Sequence, residues 1–137
     1  MNLLTAIKIA GSGLKVQKLR LNIAATNIAN AEVTRTIEGG PYVAQNVVVR
    51  AVPISEKEPY LQKVEVVEIR DDPIPFKEVY DPHHPDADER GIVKYPNVDI
   101  ITEMVELLSA GKAYEANLTV LSSTKNIIGK VLDFLRT

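Results

Sequence analysis

The chain has 137 residues, of which 45% are apolar and 25% charged, with a formal charge of −2. That balance fits one folded domain and excludes the strongly basic surface that nucleic acid or an anionic membrane calls for. Without cysteine there is no disulfide, thiolate nucleophile or thiolate metal site.

No run approaches the roughly 18 apolar residues of a membrane span. Met1-Asn2 carries no basic n-region and Lys8 interrupts the first apolar stretch, so no secretory signal is expected.

Residues 1–33 read as one helical segment. Leu3, Ile7, Ala10, Leu14, Gln17, Leu21, Ala24, Ile28 and Ala31 follow 4,3 spacing, the pattern of a coiled-coil seam. Gly11 and Gly13 weaken a helix and favour a break or bend near residue 12. Lys8, Lys15, Lys18 and Arg20 are all basic, and the patch of Lys15, Lys18 and Arg20 reads as a solvated face, since no aromatic residues interleave with it.

Residues 34–97 lose that period. Glu38-Gly39-Gly40-Pro41 predicts a tight turn, without the spacing of a phosphate-binding loop. Tyr42–Ile54 and Leu61–Ile69 are rich in Val and Ile and predict two strands joined as a hairpin. Residues 71–97 are proline-rich and predict an extended segment without regular structure.

Residues 98–137 restore the helical period. Ile100, Met104, Leu107, Gly111, Tyr114, Leu118, Leu121, Lys125, Ile128, Leu132 and Leu135 repeat at 4,3 spacing, with Asn97 or Asp99 as the N-cap. Unbroken from Val98 to Leu135, this helix is about 55 Å long. The fold class is mainly α with a small β part. Its long N- and C-terminal helices (1–33 and 98–137) pair as a coiled coil and leave a central β-hairpin and extended Pro-rich segment (34–97) outside.

Chemistry is sparse. His83-His84-Pro85-Asp86-Ala87-Asp88-Glu89 is the one cluster resembling a metal site, but adjacent histidines in an extended chain point opposite ways. As a calcium loop it fails at Arg90 and Asn97, where ligands belong. Serine, histidine and acid stand in no triad order. The expectation is a non-enzyme without metal, cofactor, nucleic-acid partner or small-molecule substrate. A hydrolase centred on His83, His84, Asp86 and Asp88 is one rival. A soluble coiled-coil adaptor binding a partner through residues 71–97 is the other.

The segment Asn22-Ile23-Ala24-Ala25-Thr26-Asn27-Ile28-Ala29-Asn30-Ala31 carries no charge on any side. Buried charges are costly, whereas amides can be buried when hydrogen-bonded. Ala113–Thr124 repeats the composition with Glu115 as its single charge. The pattern suggests helices covered on more than one side by other subunits. Ile7, Leu14, Leu21, Ile28, Met104, Leu107, Leu118, Leu121, Ile128 and Leu132 are assigned to seam or subunit packing. Asn22, Asn27, Asn30, Tyr114 and Asn117 are assigned to subunit or helix-pair hydrogen bonds. On this reading Asn27→Lys and Asn30→Lys chains fold as monomers yet fail to assemble.

The same stretch, followed by Thr34, resembles the N-terminal motif of the bacterial flagellar axial proteins of rod and hook. Thr34–Tyr42, Asp81–Glu89, Tyr95–Asp99 and Ala113–Asn117 are similar to proximal-rod members of that family. Ile37 stands where the family often has proline, and Gly111-Lys112 where Ser-Arg is more usual. The resemblance implies a non-enzymatic building block, exported uncut by the flagellar type III apparatus. It also implies helical stacking with copies of itself and other rod proteins in the periplasm, transmitting torque and enclosing the export channel. Helix pairs then line the inner tube. The central segment, with Pro82, Pro85, Asp86, Asp88, Tyr95 and Pro96, makes contacts outside it.

Overall fold

The computed structural model describes residues 2–137. Two long helices, α1 (Leu3–Ala29) and α2 (Ile100–Arg136), bracket four short strands: β1 (Gln45–Pro53), β2 (Gln62–Asp71), β3 (Lys77–Tyr80) and β4 (Ile92–Tyr95). None of the described helices is long and apolar enough to cross a membrane.

Helix α1 starts at Asn2, whose side chain accepts from the Thr5 amide at 2.8 Å and the Thr5 hydroxyl at 2.9 Å. It runs unbroken through Gly11 and Gly13, so the expected break near residue 12 is absent. Tertiary contact overrides propensity there. The Ser12 hydroxyl donates to the Ile9 carbonyl at 2.7 Å and accepts from the Val64 amide at 3.1 Å, tying the helix to β2. Helix α2 is capped by Asp99, which accepts from the Ile101 and Thr102 amides at 3.1 and 3.3 Å.

The helices run antiparallel, and their contact is the largest between any two elements. Arg20 Nε donates to Glu106 at 2.6 Å, and Gly13 lies opposite Asn117. Continued to Leu3, that register ends near residue 127, so roughly the last two turns of α2 project beyond α1. At Gly13 an added Cβ would stand 2.8 Å from the Asn117 amide, so any larger residue there displaces that side chain.

The expected seam fits α1 better than α2. In α1, Ala10 and Ala24 are buried and Ile7, Leu14, Leu21 and Ile28 are half-buried. In α2, Leu107, Tyr114, Leu121 and Ile128 are half-buried, but the fully buried positions are Ala110 and Thr124. Each stands one residue before the expected Gly111 and Lys125, just as Asn117 stands one before Leu118. Met104, Leu118 and Leu132 are left exposed. Small residues let the two backbones approach; the larger side chains turn outward.

Strands β1 and β2 form an antiparallel hairpin with Gln45 opposite Asp71 and Pro53 opposite Gln62. The register shifts between Val48 and Val49, leaving Val67 as the extra residue of a bulge. Residues 71–97 depart most from expectation. They contain β3 and β4, paired antiparallel with Lys77 opposite Tyr95 and Tyr80 opposite Ile92. Gly91, at φ 75°, closes the intervening loop where a Cβ would lie 2.9 Å from the Tyr80 ring.

The buried apolar side chains among the described residues are Ala10, Val16, Ala24, Ala44, Val93, Val98 and Ala110. All are alanine or valine, so this core alone supplies little hydrophobic stabilisation, and hydrogen bonds at the junction matter correspondingly more.

Candidate assembly interface

Two asparagines join the helices to the central strands. Asn27 is fully buried on α1. Its Oδ1 accepts from the Tyr42 hydroxyl at 2.7 Å and the Gln45 amide at 3.1 Å, and its Nδ2 donates to the Gln45 carbonyl at 3.0 Å. Asn97, just before α2, accepts from the Ala44 amide at 2.8 Å and donates to the Asp72 and Ile74 carbonyls at 3.1 and 2.8 Å. The consecutive residues Ala44 and Gln45 are thus gripped from both sides. An amide suits this place because it offers donor and acceptor together without charge.

Burial raises the Glu103 carboxyl above the usual carboxylate range. The nearby Asn27 amide opposes that shift, while Glu106, Asp72 and Asp99 add to it. Tyr42 is raised as well, first by burial and then by Glu103 and Asp71.

The remaining expected polar residues divide. Asn22 is exposed and makes no side-chain hydrogen bond, although its carbonyl accepts from the Thr26 hydroxyl at 2.7 Å. Asn30 is the C-cap of α1, and its Nδ2 donates to the Thr26 carbonyl at 2.8 Å. Asn117 donates to the Ala113 carbonyl within its own helix at 2.9 Å while its amide packs on Gly13. Tyr114 is half-buried. The uncharged α1 segment therefore supplies a strand clasp at Asn27 and a cap at Asn30, and leaves Asn22 facing out.

The central contact segment is compactly tied. Pro96 is fully buried, Tyr95 is half-buried, and the His84 and Tyr95 rings meet edge-on at 6.2 Å. Asp86 accepts from the Thr34 hydroxyl at 2.7 Å and pairs with Arg35. The Thr34 bond, followed by Arg35, holds its carboxyl below the usual range. Asp88 accepts from the Arg90 and Ile92 amides at 2.8 and 2.9 Å, and these bonds lower its carboxyl too. Pro82 and Pro85 are exposed at the rim. In the one cluster that resembled a metal site, His84 Nδ1 accepts from the Asp86 amide at 3.0 Å, so His84, Asp86 and Asp88 are all engaged within the chain.

The outward side of α2 differs sharply from the inward one. Ile101, Met104, Val105 and Leu108 form an exposed row at i, i+3, i+4 and i+7, and Ile127, Val131, Phe134 and Leu135 are exposed at the projecting end. Contiguous exposed apolar rows are the kind of surface that interaction faces use. The spacing pattern missed Asn97 and Tyr42. Their one sequence signal was a buried-type amide beside proline in Tyr95-Pro96-Asn97 and a tyrosine directly after Gly-Gly-Pro.

Comparison with known proteins agrees with this architecture. Residues 7–35 match the family described as flagella basal body rod protein, and residues 89–134 match the flagellar basal body rod FlgEFG protein C-terminal family. The chain is 44% identical to the flagellar basal-body rod protein FlgC of Yersinia enterocolitica, over 96% of this chain and 97% of that one. It is 38% identical to FlgC of Borreliella burgdorferi, over 99% of both chains. To FlgC of Aquifex aeolicus it is 40% identical over 97% of both. Near-complete coverage at these identities, with rod-family matches over both helical ends, shows that the chain belongs to the FlgC family of flagellar basal-body rod proteins.

Proposed function

We propose that this chain is a non-catalytic structural subunit of the bacterial flagellar rod, built into a helical assembly through the outward faces of its terminal helices. The exposed apolar rows of α2 carry this reading. Twelve large apolar side chains of that helix are exposed, from Ile100 to Leu135. Such surface is costly in water and is stabilised when neighbouring subunits cover it.

On this reading residues 1–33 and 98–137 form an inner helical unit that pairs in coiled-coil fashion and lines an export channel. Residues 34–97 pack outside it. The partners are further copies and other rod proteins, after export by the flagellar type III apparatus to the periplasmic part of the basal body. The adaptor alternative is not favoured, because much of residues 71–97 is folded into β3, β4 and their turns and the relatives are rod proteins.

Leu108→Asp tests the proposal. Leu108 is exposed, so the purified variant keeps wild-type stability, while cells relying on it make no complete rods and do not swim. Normal swimming with Leu108→Asp and Val105→Asp together would refute assembly through this face.

A further inference from the structure

The turn Thr36–Gly40 presents an isoleucine that the protomer does not use. The Gly39 amide donates to the Thr36 carbonyl at 3.0 Å, the Thr36 amide to the Gly40 carbonyl at 2.9 Å, and the Thr36 hydroxyl to the Gly39 carbonyl at 3.1 Å. Gly39 and Gly40 take φ of 87° and 74°, a conformation that glycine adopts without strain. The turn is therefore pinned, with Ile37 fully in solvent and exposed Glu38 beside it. A preorganised apolar tip loses little conformational freedom when it docks.

A groove of about 780 Å³ lies between α1 and β2, toward the opposite end of α1. Ile7, Val16, Ile54, Val64 and Val66 supply its apolar lining, and Lys8 and Lys15 stand along it. Lys63 and Glu65 also line it, but they are paired with each other at 3.2 Å. Among the described residues, Lys8 and Lys15 have no carboxylate partner. An added Cβ at Gly11 meets nothing within 4 Å, so the groove is open above that residue.

We propose that the Ile37–Glu38 turn of one copy docks in the α1–β2 groove of a second copy, with Ile37 against the apolar lining and Glu38 paired with Lys8 or Lys15. The match is chemical: one branched apolar side chain and one carboxylate meet one apolar groove flanked by two unpaired ammonium groups. The two features do not meet within one chain, because about 27 Å of α1 separates Gly11 from the helix end at Ala29. Knob and groove are different surfaces, so the contact is heterologous, and repeated copies form an open helical array rather than a closed dimer. The inference rests on the rod-subunit reading and names one contact within it.

The chain has no cysteine, so a pair placed at Ile37→Cys and Gly11→Cys is unambiguous. Basal bodies isolated from cells making the double variant are oxidised mildly and run on non-reducing gels. The expected result is a ladder of dimers, trimers and higher rungs that collapses on reduction, while each single variant stays monomeric. A monomer band alone from basal bodies that contain the chain overturns the docking and leaves the rod reading intact. Basal bodies with complete rods but without the chain overturn both. Where the cysteines impair assembly, Glu38→Lys is combined with Lys8→Glu and Lys15→Glu. Restored swimming in the triple variant supports the contact, and a defect no smaller than that of Glu38→Lys alone refutes it.

Discussion

Replacing Asn27 with alanine removes one end of the clasp between α1 and β1. Three groups lose their partner: the Gln45 amide, the Gln45 carbonyl and the Tyr42 hydroxyl. A buried polar group left unmet costs about 1–3 kcal/mol. Gln45 and Tyr42 are half-buried, so water recovers part of that, and the expected loss is about 3 kcal/mol in total. For a chain of this size that corresponds to a fall of about 10 °C in Tm. Urea unfolding followed by circular dichroism measures it, with Asn22→Ala as the control. Asn22 is exposed and makes no side-chain hydrogen bond, so its loss is expected within about 0.5 kcal/mol. Equal stability of the two variants would refute the clasp. The same geometry revises the expectation for Asn27→Lys. A lysine at this fully buried site destabilises the protomer itself, so that variant does not isolate assembly from folding.

Two glycines two residues apart, on opposite sides of α1, have opposite expectations. Gly11→Ala meets open space and gains helix propensity, so the protomer becomes more stable by about 0.5–1 kcal/mol. Gly13→Ala has the same propensity gain but forces the Asn117 amide from its bond to Ala113, for a net loss of about 1 kcal/mol that shrinks in an Asn117→Ala background. Thermal melts of the four variants check both signs. Glu103 gives a pH dependence. Its folded pKa is raised, so the folded state holds more protons across that window and stability falls as pH rises through it. Glu103→Gln therefore stabilises at neutral pH and has no such advantage below the ordinary carboxylate range. Urea titrations at neutral and acid pH measure the difference.

The helices were legible because their period is long and their caps are local; residue type narrows the α2 N-cap to Asn97 or Asp99, and the structure uses Asp99. What the spacing could not assign was which apolar residues face inward. Leu107, Tyr114, Leu121 and Ile128 belong to either of two rows, and the large apolar Met104 and Leu118 draw the choice toward the row that also holds Gly111 and Lys125. The row through Ala110, Asn117 and Thr124 lies inward instead, because Gly13, Ala10 and Ala24 on α1 favour close approach by small side chains. A subunit sequence superposes an internal interface on an external one, and periodicity does not label them.

The central segment was obscured for a different reason. β3 and β4 are four residues each and sit among prolines and aspartates, so no alternation is long enough to register. Their pairing depends on Gly91, Asp88 and Asn97, which act at long range or through single turns. The asparagines on α1 read as one uncharged face, yet Asn27 and Asn30 act within the chain. Side-chain partners eighteen residues away are invisible to a helical repeat.

Electron cryomicroscopy of basal bodies from cells that depend on this chain tests the central claim most directly. The account predicts rod density fitted by the α1–α2 pair, with Ile101, Met104, Val105 and Leu108 covered by neighbouring subunits. Complete rods from which the chain is missing, or rods in which that row faces solvent, would contradict it.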